Sequence, residues 1–503
     1  MRPRGGRGRP AVVPVTPPPD TRYSNADLLP ATNPGFRWRR RDFAAVWVCV
    51  SWSLASLILA GMPGRESFTW PQILLICLVA QFVVLLPSLL VEHAGDRYGV
   101  PFAVFARSAF GVRGAALPAL LRFASACVWF AFQADLGVYA IGLLVDPIGL
   151  ETGTGSGFDA LGLPYLAFLA LQLWIVTRGP RGLRRFADRA APVLLLGLAV
   201  TFLWAAVNGD GPMLPEPERA VGWGADFWSA AAPAFARTTA LFAALGLSVP
   251  DLMHLGSGGR RGGGGGGRRT AAGVVLPLLL TGMFLFTMAL ASRTSYDPRE
   301  DGLLAAHALD GMPGGTVLAA VILVSATLCG NLAMNLVPAA YDLSGTAPAR
   351  IGFRLGAVLA ALAGTGMLWW ARSSGSEYEV SAWADLTEGF FGTVAGILIV
   401  EYWIVRRTRL FPGELYRAGG AYWYAGGWNW RAAVALLAGG ALAVGGSPAP
   451  SDQGGPGEPL LPFLAPLDDF GWVVGIVVSG GLYAALTLRA RAAAGAEPSP
   501  PPP

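Results

Sequence analysis

Charge is scarce in this 503-residue chain, at 14% of residues, and lysine is absent, so all 37 basic residues are arginine. With 53% apolar residues and a positive mean hydropathy, the polar groups are too few to coat a set of soluble domains, and the chain reads as a membrane protein. The net charge of +5 is small and leaves no nucleic-acid footprint. Cysteine is also sparse: Cys49, Cys77, Cys127 and Cys329 each sit in an apolar segment without paired spacing, which argues against a disulfide framework or a zinc site. Of three histidines, His93 and His254 flank span ends and His307 lies in a loop, none with a metal-ligand neighbour, so no metal is expected. A nucleophile elbow, paired catalytic carboxylates and a phosphate loop are missing too. The glycine run at 262–267 lacks a preceding strand and a following Gly-Lys-Ser/Thr, and reads as a linker. An enzyme is not expected, nor is a cofactor.

What the chain does have is a series of apolar runs long enough to cross a bilayer, roughly 20 residues each. They fall at 42–62, 71–93, 115–145, 163–178, 190–208, 227–249, 271–292, 315–341, 353–371, 381–405, 431–446 and 470–488. The expectation is an all-α polytopic membrane protein of about twelve transmembrane helices. Arginine is retained on the cytoplasmic side during insertion. The loop with Arg178, Arg181, Arg184, Arg185 and Arg189, the loop after the sixth span, and the loop opening Arg406, Arg407 and Arg409 therefore face the cytoplasm. Both termini then lie inside, and a multi-pass protein of the plasma membrane is expected. Residues 1–36 and 491–503 read as disordered cytosolic tails around a transporter domain at 37–490.

Two spans look interrupted. The first contains Ser51-Trp52-Ser53, and the sixth ends in Gly246-Leu247-Ser248-Val249-Pro250-Asp251. Interrupted spans at corresponding positions of two halves mark the central site of many transporters. The spacing implies a five-plus-five inverted repeat with broken first and sixth helices, at 37–208 and 226–410, and two extra C-terminal helices at 411–490.

Trp129 and Gln133 lie four apart on the third span and share a face, so a flat ring and an amide can meet one small molecule. Indole stacks on a planar heterocycle, and a primary amide both donates and accepts, matching a ring amide edge. Spacing alone leaves ligand contact and helix packing both open. On the eighth span Asn331 and Asn335 share a face, while Ala326, Cys329 and Gly330 form a small-residue stripe. Two amides at hydrocarbon depth face the protein interior. Asp135 is a candidate proton or charge site with Arg237 as its expected partner, whereas Asp251 and Glu401 are expected at the cytosolic interface.

These motifs resemble the nucleobase:cation symporter-1 family of hydantoin, allantoin, uracil and cytosine-type permeases. The likeness spans about residues 26–435. It is carried by RYGVPFAVFARSAFGVRGA at 97–115, WFAFQ at 129–133, ATLCGNLAMN with YDLS at 326–344, and EYWIVRR with LYRAGGAYWY at 401–424. The resemblance implies alternating access around a midplane site, with Trp129 stacking on the substrate and Gln133 and Asn335 bonding it. Phe242 stands where the family has a second tryptophan. Family members that couple to sodium hold it with first-helix carbonyls, at the positions of Ser51 and Leu54 here, and with an alanine carbonyl and two hydroxyls of the eighth helix. Those eighth-helix positions read Ala326, Cys329 and Gly330, so both hydroxyls are gone, and a hard cation prefers oxygen to thiol. Sodium independence is expected, with a proton favoured as coupling cation. The alternatives are a transporter of a cationic vitamin such as thiamine, with Asp135 as counter-ion, and a non-transporting membrane receptor.

Overall fold

The structure is a computed structural model that describes residues 20–30, 38–62, 67–145, 162–214, 217, 219–255, 266–296, 303–374, 377–450 and 456–493. In chain order the helices are α1 (Arg40–Gly61), α2 (Trp70–Tyr98), α3 (Phe102–Phe105), α4 (Arg107–Phe110), α5 (Ala116–Val145), α6 (Gly162–Val176), α7 (Pro180–Asn208), α8 (Ala225–Gly246), α9 (Val249–Met253), α10 (Gly266–Arg293), α11 (Leu304–Ala308), α12 (Gly315–Asn331), α13 (Val337–Thr346), α14 (Phe353–Ser374), α15 (Glu377–Ile399), α16 (Trp430–Val444) and α17 (Gly471–Ala493). Each of the twelve apolar runs of the sequence falls on one long helix or helix pair. Among the described residues six helical stretches are long and apolar enough to cross a membrane, and four shorter apolar helices accompany them. Leucine, valine and phenylalanine side chains such as Phe82 and Leu86 on α2 and Leu196 and Leu203 on α7 point outward. In water that surface would be an aggregation face; in lipid it is solvated.

Local chemistry sets the helix ends. Thr69 and Gln72 form a capping box before α2, with the Thr69 amide donating to Gln72 Oε1 at 2.8 Å, and Gly99 closes the helix at φ 69°. The sixth span is interrupted as expected: α8 ends at Gly246, and after two intervening residues α9 begins at Val249 with Pro250 in its first turn. The first span is not interrupted. Helix α1 is continuous from Arg40 to Gly61, because Ser-Trp-Ser carries neither glycine nor proline and keeps every backbone donor. The eighth span contains an irregularity that its apolar pattern does not signal, a π-helical turn at Leu332–Leu336 between α12 and α13. Pro338 follows it and deprives the Met334 carbonyl of its i+4 donor; the Ser248 hydroxyl, at the break between α8 and α9, donates to that carbonyl at 3.2 Å.

Helix α1 packs on α10, α7 and α12; α2 packs on α8 and α9; α5 packs on α12, α13 and α14. The pairs α1 with α10 and α2 with α8 exchange under the expected five-plus-five repeat. Asp20–Leu28, inside the segment expected to be a disordered tail, is packed: Asn25 Nδ2 donates to Ser344 Oγ at 2.8 Å and Tyr416 donates its hydroxyl to the Leu28 carbonyl at 2.8 Å. The C-terminal helix likewise runs to Ala493, into the expected tail at 491–503. Residues 1–19, 31–36 and 494–503 of the two expected tails lie outside the described residues.

Candidate functional site

Helix α5 carries the site. Trp129 is half-buried against the cluster of Val128 and Ala371, where α5 meets α14, and its indole nitrogen is buried without a hydrogen-bond partner. One turn on, Gln133 is 6% exposed, and its Oε1 is likewise buried and unpartnered. A buried polar atom without a partner costs about 1–3 kcal/mol unless something supplies one, which makes these two candidates for bonding a ligand or water. Across from α5, the Asn331 amide donates to the Phe130 carbonyl at 3.2 Å and accepts from Asn335 Nδ2 at 2.8 Å. Asn331 is thus committed to joining α12 to α5 and to holding the amide nitrogen of Asn335, which lies in the π turn.

Gly330 brings α12 close to α5 and α1. A Cβ there would stand 3.0 Å from Gln133 Oε1 and 3.6 Å from Ser53 Oγ. Ser53, which in the sequence stands out only as part of an expected helix break, is a buried neighbour of Gln133 with an unpartnered hydroxyl. The run of alternating serines, Ser51 and Ser53, was the available signal. Ser51 is also buried with an unpartnered hydroxyl, and Leu54 follows on the helix with its side chain outside the described residues. Ala326 and Cys329 are buried on α12, with the Cys329 thiol beside that of Cys49 of α1, so sulfur rather than a hydroxyl stands at that point. Phe242 lies on α8, and its side chain is outside the described residues. Among the described residues no cluster of three or more His, Cys, Asp or Glu side chains fits a metal.

Two expectations about charge are corrected. Asp135 pairs with Arg372 of α14, not with Arg237, and is 48% exposed. Asp135 comes two residues after Gln133, which turns it roughly 200° around the helix, away from the amide. Arg237 is half-buried on α8 and engaged elsewhere. Asp251 and Glu401, expected at the cytosolic interface, are buried. Glu401 accepts from Arg406 at 2.7 Å and Tyr483 at 2.9 Å, tying the end of the tenth span to α17. Asp251 joins Arg122 of α5 at 2.5 Å, and Arg122 also forks onto Asp342 of α13 at 2.7 and 2.8 Å. Sequence reasoning missed this triad because its members lie 129, 91 and 220 positions apart in the chain, and only the fold makes them neighbours. An arginine inside the apolar third span was the one available clue.

Helices with an apolar outer surface, an interrupted sixth span and paired amides and an indole in the interior define a multi-pass membrane permease rather than an enzyme. The chain belongs to the family described as permease for cytosine/purines, uracil, thiamine and allantoin, whose match covers residues 30–475. It is 28% identical to the allantoin permease of Bacillus subtilis (strain 168), over 92% of this chain and 93% of that protein. It is 29% identical to the purine-uracil permease NCS1 of Arabidopsis thaliana, over 84% of this chain and 71% of that one. The hydantoin permease of Microbacterium maritypicum is 28% identical, over 81% and 83% of the two chains. The fold is similar to that of Mhp1, a nucleobase-cation-symport-1 family transporter, in a closed conformation with bromovinylhydantoin bound, with a TM-score of 0.71, 21% identity and coverage of 93% and 96%.

Proposed function

We propose that the protein imports an uncharged ureide or nucleobase-like heterocycle across the plasma membrane by alternating access, with both termini in the cytoplasm. The observation that carries this reading is the pair of unpartnered buried atoms one helical turn apart, Trp129 Nε1 and Gln133 Oε1, on the helix that packs against α12 and the π turn bearing Asn335. The amide carbonyl asks for a ring N–H donor, and the indole N–H asks for a ring carbonyl; a cyclic ureide edge offers both. The relatives named for allantoin, uracil and hydantoin support the same class.

A cationic vitamin fits less well, because Asp135, its intended counter-ion, already pairs with Arg372. Transport is independent of sodium, since Cys329 and Gly330 offer no hydroxyl oxygen. Uptake into proteoliposomes with sodium replaced by choline tests this: the rate for allantoin, hydantoin or uracil stays within about twofold, and a collapse of the rate in choline refutes it. Ligand binding in detergent without vesicle accumulation would instead identify a receptor.

A further inference from the structure

The charges that join α5, α9 and α13 do not balance. One guanidinium, that of Arg122, faces two carboxylates, Asp251 and Asp342, and their side chains are 2%, 0% and 0% exposed. Net negative charge buried at membrane depth is relieved when two carboxylates at one site keep a proton between them. The bonding leaves one carboxylate oxygen uncommitted. Both Asp342 oxygens accept from Arg122, and Asp251 Oδ1 accepts from the Phe102 amide at 2.9 Å. Asp251 Oδ2 touches Arg122 without hydrogen-bond alignment and is otherwise unpartnered.

We propose that Asp251 and Asp342 share one exchangeable proton across Arg122, and that this is the proton coupled to transport. The inference rests on the permease reading above and names its coupling site. Arg122 also donates to the Leu247 carbonyl, at the break between α8 and α9, and to the Pro338 carbonyl at 3.4 Å, just past the π turn. The triad therefore lies where the interrupted sixth span meets the third and eighth. It is also roughly 10 Å, seven residues of helix, on the cytosolic side of Trp129. An O–H bond forms on the carboxylate from a hydronium of the outer water and breaks to cytosolic water, with no redox change. Protonation replaces one ion pair by a neutral contact and loosens α9 from α5.

The other titratable groups on the packed elements are accounted for. His254 and Tyr341 meet edge to face at 5.0 Å, and Arg107 is committed to three carbonyls. Asp27 accepts from the Phe353 amide at 2.9 Å, and Arg354 is exposed. On α2, where Gly95 packs against Pro250, Glu92, His93 and Asp96 are engaged with partners of their own.

Infrared difference spectroscopy on the purified full-length protein tests the site without transport. At neutral pH the wild type should show the carbonyl band of a protonated carboxylic acid that shifts in D₂O. Asp342→Asn and Asp251→Asn should each abolish it, because the remaining carboxylate then balances Arg122 alone. If one variant fails to fold, the other and the wild type decide. In proteoliposomes the stimulation of uptake by an acid exterior should fall from several-fold to none in the same variants. A wild type without the band, a band that persists in a folded variant, or a variant still stimulated by acid overturns the proposal. A wild type that carries no heterocycle at all while showing the band overturns the permease reading and not the shared proton.

Discussion

Trp129 and Gln133 illustrate what a single pair of residues can and cannot disclose. Their four-residue spacing alone puts them on one face of a helix, but that both polar atoms are buried and unpartnered, while Asn331 is already committed, emerges only in the folded chain. Ser53 was illegible in this role, since its closeness to Gln133 depends on α1, α5 and α12 meeting at Gly330. Removing the Gln133 amide leaves one ring N–H of the ligand unpaired, so Gln133→Ala is expected to weaken ureide binding about 10- to 100-fold, or roughly 1.4–2.8 kcal/mol. Trp129→Phe keeps the stack, loses the N–H and is expected to cost about tenfold. Isothermal titration in detergent reads both; equal affinity in wild type and Gln133→Ala would remove that residue from the site.

At the level of elements, the long helices were legible because each of the twelve apolar runs outlasts what a soluble core helix needs. Where helices depart from regularity was only half legible. Glycine and proline betrayed the break between α8 and α9, whereas serine and tryptophan do not break α1. The π turn follows from Pro338, three residues past Asn335, and it aims that amide. Pro338→Ala restores the missing donor to the Met334 carbonyl, competes with Ser248 and lets the helix run on as an α-helix, which rotates Asn335. Ligand affinity is expected to fall about tenfold while thermal stability holds, since proline removal relieves rather than adds strain. Unchanged affinity in the same titration would show that the π turn does not position the amide.

Across the whole molecule, segments distant in the chain are tied together through backbone carbonyls that hydropathy does not register. Arg107 is buried and donates to the carbonyls of Tyr23 at 2.7 Å, Leu415 at 3.1 Å and Gly345 at 3.1 Å, so one guanidinium joins the N-terminal strap to the segments after the eighth and tenth spans. Burial lowers that guanidinium to about 10, with the nearby Tyr416 opposing, so it stays protonated at neutral pH. Arg107→Ala orphans three carbonyls and is expected to destabilise the fold by about 3 kcal/mol, read as a lower melting midpoint; a midpoint unchanged from wild type would mean that water replaces the arginine without cost. The strap was missed in sequence because its composition is that of a solvated tail, and its order comes from partners more than 300 residues away.

The central claim is that a neutral cyclic ureide binds between Trp129, Gln133 and Asn335 and is carried across the membrane. Counterflow in proteoliposomes preloaded with unlabelled allantoin, hydantoin or uracil tests it most directly. Labelled compound should enter the wild type transiently and saturably, be competed by the unlabelled compound, and enter Gln133→Ala at a small fraction of that rate. Counterflow with none of the three, or equal counterflow by wild type and Gln133→Ala, would contradict it.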